Sequence, residues 1–174
     1  MTGDGSRRSG RAVRRRCRST ALGEVVSCFV LPAVLFGLVG APVSAANVVG
    51  TVAMVLLLVQ GALYWWVKAA MLERRRDHAA WMRAFERLRT FDIVMLVVAG
   101  ALIGWSAVAV GPALAWVGLG FWVLAVLEFV NYFHWQLMCD NRSDLTWLVR
   151  RGLKRPALAR DLERHARRQR QANA

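Results

Sequence analysis

The chain has 174 residues, 56% of them hydrophobic, and 24 Lys+Arg against 11 Asp+Glu, a formal net charge of +13. The two properties are segregated, because residues 25–67 and 93–127 contain no charged side chain. Such runs exceed the roughly 18–20 apolar residues of one membrane-spanning helix, which excludes a soluble globular domain, a disordered chain and a disulfide-stapled secreted fold.

Residues 1–20 combine arginines with Gly and Ser and show no apolar periodicity. They read as a disordered basic arm. The first apolar run, residues 21–40, contains Pro32, which a membrane helix tolerates as a kink. An uncharged link, Ala41-Pro42-Val43-Ser44, leads into a second run over residues 45–67. The connection 69–90 has neither Gly nor Pro. Asp77 is placed there to cap an interfacial helix with Trp81, Phe85 and Leu88 on its apolar side. A third run spans 91–110, Gly111-Pro112 signals a tight turn, and a fourth run spans 113–137. In the tail, residues 139–174, Ser143 is placed to cap a helix bearing Leu145, Leu148, Val149 and Leu153. Pro156 opens a second helix with Leu158 and Leu162. The expected fold is an all-α integral membrane protein whose domain, residues 21–138, holds four transmembrane helices as two hairpins. Basic amphipathic cytoplasmic helices flank it.

Charge sets the expected orientation. All 24 Lys+Arg fall in residues 7–18, 68–89 and 142–170, and the two turns opposite carry none. By the positive-inside rule both termini and the central connection are cytoplasmic. The expected location is a bacterial-type inner, or plasma, membrane. A basic stretch, an apolar stretch and Val43-Ser44-Ala45 resemble a cleavable signal peptide, but the apolar stretch is longer than a usual h-region and Glu24 and Pro32 interrupt it. The first span is therefore expected to stay uncleaved. Cys17, Cys28 and Cys139 lack the spacing of a metal site or disulfide framework and are expected as free thiols.

Aromatic residues mark the ends of the spans. Tyr64, Trp65 and Trp66, with Phe129, Tyr132, Phe133 and Trp135, are expected as an inner interfacial belt, and Trp105 and Trp116 as outer anchors. Packing is expected on Gly100 and Gly104, a small-xxx-small face. Gly104 and Gly118 lie at equal sequence distance from Gly111, as do Gly100 and Trp122. That register predicts close contact of Gly104 with Gly118 and a Trp122 ring over Gly100.

Chemistry is sparse. Glu24, Asp92 and Glu128 are the acids of the spans, accompanied by Gln60, Asn131 and His134. Counted from the outer turns, the acids and Gln60 fall in one layer, roughly 25–28 Å deep at ~1.5 Å per residue. Intramembrane ionisable residues mark function by default, although polar bonds that fix helix packing are the commoner use. Glu128, Asn131, Tyr132 and Trp135 share one helical face. Paired haem ligation would need two intramembrane histidines and only His134 lies near the membrane. Ser106, in Gly104-Trp105-Ser106, has every histidine at the opposite side. No catalytic, metal or cofactor site is therefore expected. The expected partners are anionic lipid headgroups, and a second copy or a membrane protein partner. Nucleic acid is not expected, since no nucleic-acid-binding module accompanies the basic arm. The functional expectation is a non-enzymatic accessory or scaffold, with a small transporter or channel subunit built on the acidic layer as the alternative.

Overall fold

The computed structural model describes residues 3–74, 79–137 and 155–173. These residues are almost entirely helical, with no β-strand among them. Helix α1 covers Gly3–Pro32, α2 Ala45–Arg74, α3 Ala79–Val110, α4 Trp116–Phe133 and α5 Ala157–Asn173. Four helical segments are long and apolar enough to cross a membrane: Gly10–Leu38, which runs from α1 into the turn after it, Ala45–Glu73, Ala79–Val110 and Trp116–Phe133.

α2 occupies the centre, packed against α1, α3 and α4, and α3 also touches α4. Its sequence is apolar nearly all round, which suits a helix surrounded by others. Leu57, Leu58, Met54 and Tyr64 form the core with Leu96, Phe85, Ala125 and Phe129. The outer surface of the bundle is equally apolar: Phe29, Val97, Trp105 and Val108 are all exposed. In a bilayer such a surface needs no cover.

Three expectations change. Residues 3–20, expected as a disordered arm, continue the first helix without a break. Arg14 and Arg18 both reach Glu73 at the end of α2, at 3.2 and 3.1 Å, and Cys17 is buried. The second half of the arm thus has partners on α2, although exposed ion pairs contribute little each. The expected interfacial helix is instead the first part of α3, whose 32 residues extend about 48 Å, beyond a ~30 Å hydrocarbon core. Phe85 turns fully into the bundle, edge-on to Tyr64 with ring centroids 5.8 Å apart, while Trp81 stays exposed. Finally, Tyr64, Phe129, Tyr132 and Phe133 are buried core residues rather than interfacial anchors. Trp66, Trp105, Trp116 and Trp135 remain exposed. Asp77, Cys139 and the segment capped by Ser143 lie outside the described residues. Cys17 and Cys28 are free thiols.

Pro32 has no N–H to give the preceding turn, and α1 passes there into a wider π turn over Ala33–Leu38. The link 41–44 is then tied to the α3–α4 turn. Ser44 caps α2 by accepting from Asn47 N–H at 3.2 Å, and its hydroxyl donates to the Leu114 carbonyl at 2.6 Å. Gly111 makes the other turn possible, at φ 98°, a left-handed conformation that a side chain disfavours.

Close helix approach occurs where α2 crosses α4. A Cβ on Gly118 would stand 2.1 Å from the Ala46 carbonyl oxygen, and one on Gly50 would stand 2.1 Å from that of Gly118. Gly104, expected as the partner of Gly118, has nothing within 4 Å of a built Cβ and faces outward. The equal spacing from Gly111 matched the two glycines in depth but said nothing of rotation about each helix axis. Gly100 does sit under Trp122, whose ring would lie 2.9 Å from a Cβ there. That ring is held by its indole N–H, which donates to the Leu96 carbonyl at 2.8 Å.

Candidate functional site

The six polar residues expected as one layer make separate contacts. Gln60 on α2 donates its amide N–H to Asp92 Oδ1 on α3 at 2.7 Å. Asp92 is fully buried, and its Oδ2 has no partner among the described residues. On another side of α2, the Tyr132 hydroxyl of α4 donates to Glu24 Oε1 of α1 at 2.5 Å. The hydroxyl lies over Gly61, where a Cβ would come within 2.1 Å of it. Because Gly61 follows Gln60, both pairs sit at one level of the bundle, turned about 100° apart around α2.

Glu128 is half-buried and accepts from Asn131 on its own helix at 3.3 Å. Asn131 Oδ1 in turn accepts from Leu137 N–H at 2.9 Å. His134 ends α4, its backbone N–H donating to the Val130 carbonyl at 2.9 Å, and its ring lies 5.4 Å from that of Phe129. Its buried Nδ1 has no partner among the described residues. Glu24, Asp92 and Glu128 thus bond to different side chains: Tyr132, Gln60 and Asn131. No group of three or more His, Cys, Asp or Glu able to hold a metal exists among the described residues.

What does converge is the charged end of the bundle. A cleft of about 370 Å³ opens between α1, α2, α4 and the first half of α5. Tyr132 and Glu24 lie along it, and Arg16, Lys68, Arg160 and Arg164 bring cations from three helices. α5 closes one side because its sequence is amphipathic. Leu158 is buried in the core and Leu162 packs against it, whereas Arg164, Arg167, Arg168 and Arg170 are exposed.

One polar contact orients α5. Lys68 of α2 forms an ion pair with Asp161, and the buried Tyr64 hydroxyl donates to Asp161 Oδ2 at 3.0 Å. Replacing Asp161 by Ala leaves both donors without their acceptor, a change that costs about 1–3 kcal/mol per buried group. The expected result is loosening of α5 and faster tryptic cleavage after Arg160 and Arg164, read by mass spectrometry on the solubilised protein. Cleavage at the wild-type rate would mean that Leu158 and Leu162 hold the helix alone.

Sequence reasoning missed Asp161 here and Asn47 at the other end, and it read Tyr64 as an interfacial ring rather than as a partner of Asp161. Asp161 does carry a signal: it is the acid three residues after Leu158, on the side of α5 that bears the leucines. Asn47 signals itself only by standing three residues after Ser44 at a helix start, a spacing related to the capping box. The chain matches no protein-family model, and no curated protein or solved structure is similar to it.

Proposed function

We propose that this chain is a small multi-pass protein of a bacterial-type inner or plasma membrane that serves as a non-enzymatic accessory or scaffold, engaging anionic lipid through basic helices on its cytoplasmic side. In this reading the spans form two hairpins, both termini and the 68–89 connection face the cytoplasm, and the neutral turns at 41–44 and 111–115 face outward. The observation that carries it is the presentation of α5. Leu158, Leu162 and Asp161 dock the helix on the bundle, and this leaves a fixed row of exposed arginines at the level where α1 and α3 leave the apolar zone. Basic residues near an anionic leaflet contribute about 1 kcal/mol each. Fixing them on a docked helix removes the ordering cost that a free tail would bear. A transport pathway through the acidic layer has less support, because Glu24 and Asp92 are engaged by Tyr132 and Gln60 on different sides of α2.

Spin-labelled lipids test this in reconstituted bilayers. The wild type is expected to select labelled phosphatidylglycerol over phosphatidylcholine at its surface. A variant carrying Arg167→Gln, Arg168→Gln and Arg170→Gln is expected to lose most of that selection, and salt to weaken it. Equal occupancy by both lipids around the wild type would refute the reading.

A further inference from the structure

We propose that the cleft between α1, α2, α4 and α5 is a discrete site for the phosphate of one anionic lipid headgroup, an inference that rests on the lipid-engaging role and orientation proposed above. Its size comes first. About 370 Å³ lies within the roughly 300–1,000 Å³ of small-molecule sites, more than a bare ion needs.

Its charge comes second. Four cationic side chains line the cleft against two acids, Glu24 and Asp161. Both acids are engaged within the protein. Asp161 accepts from Lys68 and Tyr64, and Glu24 accepts from Tyr132. Two further cations of the lining, Arg160 and Arg164, carry planar forks that match phosphate oxygens in bidentate geometry. Arg160 and Arg164 sit four residues apart on one face of α5 and border the same cavity.

Its walls come third. Trp65, Leu158, Val13 and Ala157 give the cleft apolar sides next to those cations, the combination that a glycerophosphate joined to acyl chains would meet. The position agrees, since the cleft lies where α2 passes from its charge-free run to Lys68. Basic pockets between transmembrane helices at that level suit phosphate-bearing headgroups.

The full-length protein in a neutral detergent is titrated calorimetrically with dihexanoyl phosphatidic acid, dihexanoyl phosphatidylcholine and glycerol 3-phosphate. Saturable binding of one phosphatidic acid per chain is expected, at least about tenfold tighter than either other probe. Arg160→Gln with Arg164→Gln is expected to weaken it about tenfold or more, the scale of losing one or two charge-assisted hydrogen bonds. Matching melting midpoints exclude misfolding as the cause. Absence of saturable binding, or unaltered affinity in the cleft variant, overturns the site. Equal affinity for glycerol 3-phosphate assigns it to a soluble phosphate ester and overturns the lipid assignment. Lipid selection in bilayers that persists when the cleft site fails leaves the general lipid role standing. Loss of both removes the two together.

Discussion

Gly118→Ala is expected to lower the melting midpoint of the solubilised protein, and Gly104→Ala to hold or raise it. The same chemical change has opposite signs because the two glycines meet different surroundings. In a helix interior, Ala is favoured over Gly by about 1 kcal/mol. At Gly104 nothing opposes that gain, since no atom lies within 4 Å of the new methyl group. At Gly118 the methyl would stand 2.1 Å from the Ala46 oxygen and 2.9 Å from the Asn47 nitrogen. Both are backbone atoms, which no rotamer change can move aside. The crossing of α2 and α4 must open, with loss of contacts along its length. Overpacking costs ~1–3 kcal/mol even where side chains can adjust, so the clash outweighs the propensity gain. Gly118→Val should cost more than Gly118→Ala. A thermal melt in one detergent decides it. Destabilisation by Gly104→Ala together with tolerance of Gly118→Ala would mean that α4 packs on α3 rather than on α2.

The second large effect is expected at Asn47. This side chain is almost fully buried and bonds in two directions. Its Oδ1 accepts from Gly118 N–H at 2.8 Å, and its Nδ2 donates to the Pro42 carbonyl at 2.9 Å. Gly118 is in the first turn of α4, where backbone N–H groups lack intrahelical acceptors, and Ala115 before that helix offers no capping side chain. Asn47 thus caps α4 from α2 while holding the turn that precedes α2. Asn47→Ala strands the buried Gly118 donor at the close crossing of α2 and α4, while the Pro42 carbonyl keeps the Ser44 N–H at 2.8 Å, and a loss of about 1–3 kcal/mol is expected. Asn47→Asp keeps the acceptor but sets a second oxygen against the Pro42 carbonyl, so it should not rescue. Thr51→Val is the control, because Thr51 only returns a bond to Asn47 one turn earlier, at 2.7 Å. Hydrogen exchange at the Gly118 amide should quicken in Asn47→Ala and stay slow in Thr51→Val. Unchanged exchange and stability would show that water replaces the side chain.

Both predictions concern contacts that a linear reading did not place. The expectation for Gly104 came from counting residues away from Gly111, which sets depth and nothing else. Asn47 lay within a charge-free run and drew no notice beside Glu24, Asp92 and Glu128. Those acids drew it because charge in a membrane is costly, yet the structure gives each a separate neighbour instead of a common site. Leu158 and Leu162 were legible, since α5 is strongly amphipathic and its leucines could turn only inward.

The sequence by itself determined the helical class, the four membrane-length segments, the breaks at 41–44 and 111–115, and the confinement of basic charge to three stretches. Each follows from composition and local order: an apolar run too long for anything but a span, a Gly-Pro pair, a charge that hydrocarbon excludes. The tertiary structure alone decided which face of each span turns inward. Lipid is as apolar as a protein core, so a helix such as α2, apolar nearly all round, carries no hydrophobic stripe to orient it. Rotation is set instead by backbone approach at Gly50 and Gly118, and by the bonds of Asn47, Gln60 and Tyr132. Those bonds join residues far apart in the chain, and that is why the cleft beneath α5 emerged only when the helices were placed together.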